Sequence, residues 1–428
     1  MARAIVIGAG VGGLCAGARL ADSGWDVVVY ERLRRVGGRW SSRDVEGFRL
    51  PTGAFLIAMD DALARTFTDL GIDFPVRPIE ERTVFMVDGE LVGTGKRGGL
   101  RALLGAAARV DGSDPDSILA EVRSALSGDL PDGEALLPDW LMARGAGSAV
   151  VGAVHSLTQS FMGVNSSEVS AASFFEYLRV TAGRGRHGIP PEGSRRLAEN
   201  LADFIDARGG SVRVGTSVTS IRMEGGRVLG VDVRGGGAVD GDVVVSDIGV
   251  EATDRLLPER MPPSADGPVA PSAPGITTFV ATRSPLLHHP VVVVSGTRAV
   301  CLLTTPTLVA PELAPPGWHF TESISTFRSS LDTAAPSVEL ERHYADLDDL
   351  VPLWRKGRLL HTATYRNDWP VYRAWPGRDR QERFPLPGLA LVGDSVKPRG
   401  WPGTGASAEG ARLVVDELVR GAAADPSG

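Results

Sequence analysis

The chain carries two cysteines, Cys15 and Cys301, too few for a disulfide framework or a cysteine-built metal cluster. A reducing, cytoplasmic compartment is the natural expectation. Cys15 falls within a helical pattern and reads as a small buried apolar residue rather than a reactive thiol. Lysine is as scarce: Lys96, Lys356 and Lys397 are the only ones, so arginine supplies nearly all the positive charge, a compositional bias assigned to the source genome. His155, His187, His288, His289, His319, His343 and His361 show no ligand spacing beside acids or cysteines, so no metal site is expected. The pair His288-His289 precedes Pro290 and reads as a surface turn. A net charge of −7 offers no footprint for nucleic acid. No apolar run approaches a membrane-spanning length. The first strand also starts too near Met1 to leave room for a secretory signal. A soluble protein is expected, with peripheral membrane contact left open. No Gly-x-Ser-x-Gly elbow or Cys–His signature supports a hydrolase. Internal repeats are lacking too, and only a short terminus after Arg420 reads as disordered. With 428 residues, the chain has material for two or three domains and a sizeable core.

What is present begins at once. Ala4 to Ile7 is a short apolar run, Gly8-Ala9-Gly10-Val11-Gly12-Gly13 follows, and a helical pattern then carries Leu14, Ala18 and Leu20. Gly24 stands where a helix ends, and the valine-rich Asp26 to Tyr30 predicts a second strand that runs into Glu31, 23 positions after Gly8. Each part has a physical job in dinucleotide binding. Gly8 permits the tight turn, Gly10 lets backbone approach a pyrophosphate, and Gly13 allows close helix–strand packing. The helix N-terminus favours the phosphate charge, and Glu31 is placed to accept hydrogen bonds from a ribose. The same glycine pattern recurs at Gly183-Arg184-Gly185-Arg186-His187-Gly188, but no strand precedes it and Pro190-Pro191 follow, so a loop is expected there. A second nucleotide domain for NAD(P)H is therefore not expected.

Directly after Glu31, which is followed by Arg32, comes Arg35-Val36-Gly37-Gly38-Arg39, giving close backbone approach and a cation near a second phosphate. Here the chain resembles the amine-oxidase and phytoene-desaturase superfamily of FAD enzymes, in which such a segment runs along the cofactor. Leu50-Pro51-Thr52-Gly53-Ala54-Phe55-Leu56 is similar to the superfamily's segment that passes the flavin ring. Pro191-Glu192-Gly193-Ser194, a helix ending at Arg208-Gly209-Gly210, and Val212 to Ile221 are similar to its element in which a strand valine, here Val218, holds adenine. That segment continues into a hairpin turning at Glu224-Gly225-Gly226 and a strand from Asp242 to Ser246. Near the C-terminus, a strand from Leu389 to Val392 ends in Gly393-Asp394, and Trp401-Pro402-Gly403-Thr404-Gly405 opens a helix from Ala406 to Arg420. In relatives the aspartate binds ribityl and phosphate oxygens, and the helix N-terminus faces the flavin's pyrimidine edge.

The resemblance covers essentially the whole chain. It implies an α/β fold in which a Rossmann-like FAD-binding domain from 1–75, 186–262 and 355–428 receives an inserted α+β substrate domain from 76–185 and 263–354. It places non-covalent FAD on Gly8, Gly10, Gly12, Gly13, Glu31 and Arg32, then Gly38, Arg39, Gly53, Ala54 and Phe55. Val218, Gly393, Asp394, Gly403, Thr404, Gly405 and Ala406 complete the set. Within the substrate domain, Ser117 to Ser127 reads as a helix capped by Ser117, and Ile276 to Thr282, Val291 to Ser295 and Ala299 to Thr304 read as strands.

Many amine oxidases of the superfamily place a lysine at flavin N5 through a water. The equivalent stretch here, Gly275 to Thr282, has none, and Lys397 reads as a solvent or pyrophosphate neighbour. Tyr365, Trp369 and Trp401 are the candidates to face substrate, with packing at a domain interface as the equal alternative. The resulting expectation is an FAD-dependent oxidoreductase that dehydrogenates a C–C or C–N bond of a largely apolar small molecule, in specialised-metabolite biosynthesis. A redox-neutral isomerase or cyclase using reduced flavin is the alternative enzyme reading, and a non-catalytic escort of the same fold the alternative outside catalysis. Oligomeric state is left open.

Overall fold

The computed structural model describes residues 1–80, 83–93, 99–131, 134–181, 186–267, 272–328, 336–365 and 377–424. The N-terminal apolar run forms the strand Arg3–Ile7, the glycine turn feeds the helix Val11–Asp22, and the valines that follow form the strand Asp26–Tyr30. Arg3–Ile7 pairs in parallel with Asp26–Tyr30 on one side and with Val243–Ser246 on the other. Parallel neighbours need a crossover, and the helix Val11–Asp22 supplies the first of them. Ser211–Arg213 and Leu389–Leu391 add parallel strands at the two edges, completing a five-stranded sheet.

Alternation along each strand separates two cores. Ala4, Val6, Val27 and Val29 pack on Leu14, Leu20, Leu197, Leu201, Ile205 and Val414, from the helices Val11–Asp22, Ser194–Ala207 and Gly403–Ala424. Ile5, Val28 and Val244 face the other way, onto Ile221 and Val231 of the hairpin Val218–Glu224 and Arg227–Val233. Burial on both faces is why these strands read as unbroken apolar runs.

A second sheet has seven strands, in the spatial order Arg358–Tyr365, Gly275–Thr282, His319–Thr326, Val300–Thr304, Val291–Ser295, Val84–Val87 and Glu90–Val92. All neighbours are antiparallel except Val291–Ser295 with Val84–Val87. Helices at Leu100–Asp111, Pro115–Ser127, Ser148–Leu157 and Ala171–Thr181 cover one face, burying Phe85, Leu103, Val150, Phe175 and Leu302. The helix Pro336–Leu350 covers the opposite face through Leu347, against Val292, Val294 and Leu303. Among the described residues no helix is long and apolar enough to cross a membrane.

On that second face His343 is fully buried between two strand hydroxyls, Ser323 Oγ at 2.8 Å from Nε2 and Ser325 Oγ at 2.7 Å from Nδ1. Burial pushes its pKa from an ordinary 6.5 down to about 4, opposed in part by Asp346. The unfolded chain therefore binds the extra proton first, and stability is lost as pH falls from about 6.5 towards 4. The melting temperature of H343Q is expected to fall less steeply than that of the wild type across this window. Parallel slopes would remove the buried neutral histidine from the acid response.

Several element boundaries differ from the sequence expectation. The segment Val212 to Ile221 holds the ends of two strands, Ser211–Arg213 and Val218–Glu224, and between them Gly215 turns the chain at φ +68. The helix expected from Ser117 starts at Pro115, and its cap is Asp114, whose Oδ1 accepts the Asp116 amide at 3.0 Å. The C-terminal helix begins at Gly403 rather than Ala406. In the second glycine pattern, Gly183 to Gly185 lie outside the described residues. There His187–Ile189 forms a short strand against Ile57–Ala58 and Arg77–Pro78, and the next helix starts only at Ser194.

Candidate flavin and substrate site

The glycine turn is shaped by what it cannot contain. Gly8 sits at φ +96, donating its amide to the Tyr30 carbonyl at 2.8 Å, and a Cβ on Gly13 would collide with the Gly8 carbonyl oxygen. A Cβ on Gly12 would stand 2.6 Å from both the Gly393 amide nitrogen and Asp247 Oδ1, closer than real Cβ atoms approach. Gly10 heads the helix with no side chain of its own to cap the first turn, and the helix N-terminus borders the cavity through Gly10 and Val11. Asp247 escaped the sequence reading. It leaves the end of the strand Val243–Ser246, donates its amide to Ile7 at 2.8 Å, and lays its carboxylate against Gly10, Gly12 and Gly393. The available signal was its position, at the carboxyl end of a sheet strand where ligands of α/β sheets bind.

Glu31 is 7% exposed and holds two backbone amides, Ala9 on Oε2 at 2.9 Å and Leu33 on Oε1 at 2.7 Å. It therefore braces the glycine turn directly. The paired-glycine segment is drawn in by the Gly37 amide, which donates to the Ala9 carbonyl at 2.7 Å. Gly38 follows at φ +54, with its carbonyl accepting from Arg35 at 3.1 Å and from Thr52 at 3.2 Å. Arg39 then reaches Asp394 through two parallel bonds of 2.8 and 2.7 Å. This bidentate pair joins the N-terminal and C-terminal motifs.

The C-terminal helix crosses close above the N-terminus of the helix Ala62–Leu70. A Cβ on Gly405 would fall 2.9 Å from the Asp61 carboxyl carbon, and Asp61 is the cap of that second helix, accepting the Leu63 amide at 2.9 Å. Lys397 corrects the sequence expectation. It is neither solvent-facing nor among the residues lining the cavity described below. Fully buried, it pairs with Asp379 at 2.9 Å and donates to the Trp401 carbonyl at 2.7 Å, since a lysine this deep is tolerated only with its charge met.

These parts surround a single continuous cavity of about 1820 Å³. Gly8, Gly10, Glu31, Arg32 and Val218 line one end. Gly38, Arg39, Gly53, Ala54 and Phe55 also line it, as do Asp394, Gly403, Thr404 and Gly405, Asp394 beside Arg39. Gly12, Gly13, Gly393 and Ala406 do not line it but pack beneath those that do. Tyr365 and Trp401 both line the cavity, whereas Trp369 lies outside the described residues. Past the glycine motifs the space opens into a chamber between the second sheet and its helical cover, walled by Phe85, Leu157, Phe161, Phe174, Leu302 and Ile324. One carboxyl, Glu322, interrupts this apolar wall and was not singled out from sequence. A drug-sized ligand occupies a pocket of roughly 300–1,000 Å³. The volume thus accommodates an extended dinucleotide and a second molecule together. The glycine cradle, the helix N-terminus that borders the cavity and the buried Glu31 suit the dinucleotide.

Comparison with known proteins gives the same reading. The family model for flavin-containing amine oxidoreductases matches residues 11–408. An uncharacterised protein of Methanocaldococcus jannaschii is 26% identical over 423 residues, spanning 97% of this chain and 98% of its own. The phytoene desaturase of Cercospora nicotianae is 28% identical over 297 residues, 60% of this chain but only 47% of that enzyme. Among solved structures, an oxidoreductase of Methanosarcina mazei superposes with a TM-score of 0.86 at 28% identity, covering 97% of this chain and 100% of that one. The mixed α/β fold and the family match together establish that this chain belongs to the flavin-containing amine oxidoreductases, enzymes that use FAD as their cofactor.

Proposed function

We propose that the protein dehydrogenates a C–C or C–N bond of a largely apolar small molecule, in a specialised biosynthetic setting. The observation that carries this is the continuity of the cavity, from the glycine cradle to an apolar chamber in the second sheet. In this reading 1–75, 186–262 and 355–428 form a Rossmann-like FAD-binding domain, and 76–185 with 263–354 the inserted substrate domain. The resemblance to phytoene desaturases supports an apolar substrate. Bound FAD supplies the acceptor for the electrons removed from that substrate.

The residues named above divide the remaining work. The amides of the Val11–Asp22 helix and the Glu31 carboxylate hold the dinucleotide's phosphate and ribose groups, while Arg39 and Asp394 offer one cation and one acceptor beside them. The N-terminus of the Gly403–Ala424 helix opens on the cavity through Gly403 and Thr404, where its dipole stabilises negative charge. Tyr365, Trp401 and the apolar chamber orient substrate and exclude water. Both cysteines are fully buried and neither lines the cavity, which supports non-covalent attachment.

The test is anaerobic. Fractions of the source cell's own extract that contain substrate are expected to bleach the yellow enzyme without added reductant, and oxygen or another acceptor to restore the colour. Turnover only after chemical prereduction of the flavin, or many turnovers with no acceptor, would overturn dehydrogenation in favour of redox-neutral chemistry.

A further inference from the structure

Glu322 occupies the middle of the strand His319–Thr326. Side chains on a strand alternate, so Glu322 shares its face with Ile324 and looks into the cavity, while Ser323 and Ser325 turn to His343 on the far face. It is 4% exposed, and its one hydrogen bond among the described residues comes from the Thr304 hydroxyl, at 3.3 Å from Oε2. No cationic side chain among the described residues pairs with it, in contrast to Lys397, Asp379 and Arg39. The surrounding elements bring little charge. Gly275–Thr282 has no ionisable side chain, nor do the segments 158–162 and 306–308. Val300–Thr304 contributes only Cys301, whose thiol burial pushes up to about 11 and which donates to the Ile324 carbonyl. On its own strand His319 is engaged with Thr307, and elsewhere the cavity lining carries the phenols of Tyr177 and Tyr365, His187, Glu80, Arg43 and Arg186, and the charged groups around the glycine motifs.

A carboxyl in such a place is costly unless something enters to meet it. We propose that Glu322 sets substrate specificity by donating a hydrogen bond to a carbonyl oxygen on an otherwise apolar substrate. This rests on the chamber being the substrate site proposed above. Burial pushes the Glu322 pKa from an ordinary 4.5 up to about 8, so near neutrality the group is an acid, not an anion. Its Oε2 is already satisfied by Thr304, which leaves the O–H for the cavity. A ketone accepts that bond without creating charge. An amine would take the proton, forming an ion pair whose desolvation in an apolar chamber is expensive.

Three probes of matched length separate these cases by calorimetric titration of the FAD-loaded enzyme: 2-decanone, 1-decene and 2-aminodecane. At pH 7 the ketone is expected to bind about tenfold more tightly than the alkene, the worth of one hydrogen bond. That preference should disappear by about pH 9, because the ionised carboxylate has no proton to donate. E322Q keeps an N–H donor that cannot ionise, so its ketone preference should persist at pH 9. E322L should bind ketone and alkene alike. Retained FAD and an unchanged melting temperature report that either variant is folded. A ketone that binds no better than the alkene at pH 7 overturns the proposal, as does tightest binding by the amine with affinity rising above pH 8. Binding is read here without turnover, so a negative bleaching experiment and a negative titration remain distinguishable.

Discussion

Replacing Lys397 with methionine is expected to destabilise the protein by about 3–5 kcal/mol, the usual consequence of removing one partner from a buried ion pair. The ammonium is fully buried and Asp379 is 3% exposed, so the carboxylate left behind would have no access to water. More than charge is at stake. Lys397 also donates to the Trp401 carbonyl, and the other Asp379 oxygen accepts the Gly400 amide at 3.1 Å and the Gly377 amide at 3.3 Å. These bonds fix the loop that delivers Gly403, Thr404 and Gly405 to the cavity. Denaturant melts of the FAD-loaded protein should therefore show the loss, together with a lower FAD content. The double variant K397M/D379N should recover part of it, since no charge is then stranded. A single-variant loss below about 1 kcal/mol, in the range of exposed pairs, would contradict the buried assignment.

The contrast between Lys397 and the glycine turn explains what the sequence could disclose. At Gly8 and Gly13 the constraint is local, a positive φ at the first and the Gly8 carbonyl too near for any Cβ at the second, and only one residue type satisfies it. The first strand, helix and second strand were legible for the same reason, because pattern and spacing sit within thirty-odd neighbouring positions. Lys397, Asp247 and Glu322 are different. Each is an ordinary polar letter in its own segment, and what gives it meaning arrives from elsewhere: the Asp379 carboxylate, the underside of Gly10 and Gly12, the apolar wall around the chamber. Periodicity marked the strand His319–Thr326 poorly as well, because its Thr, Ser and Glu residues alternate between a polar cluster at His343 and the cavity. The early start of the C-terminal helix has a related cause. Gly403 and Gly405 have low helix propensity, and the helix includes them because close passage over Asp61 excludes a side chain at Gly405.

Glu31→Ala is expected to weaken FAD binding about ten- to a hundredfold and to lower the stability of the apoprotein as well. Sequence spacing supplied only the first half of that expectation, through the ribose. The structure adds the second, because the carboxylate already accepts the Ala9 and Leu33 amides, and both donors lose their partner in the variant. Hydrogen bonds to a charged group are worth roughly 1.5–3 kcal/mol each, so the damage to the turn should be visible without cofactor. The two effects are coupled through geometry. Ala9 lies between Gly8 and Gly10, and its carbonyl accepts the Gly37 amide, so a slack Ala9 loosens the glycine cradle and the paired-glycine segment at once. Fluorescence titration of apoprotein with FAD measures the first effect, and a urea melt of the same preparation the second. Glu31→Gln serves as the intermediate case, since its amide oxygen can accept one of the two N–H groups while its NH₂ must oppose the other. Affinity should then order as wild type, Gln, Ala. Apoprotein stability that falls while FAD affinity stays unchanged would reduce Glu31 to a brace for the turn and remove it from the cofactor site.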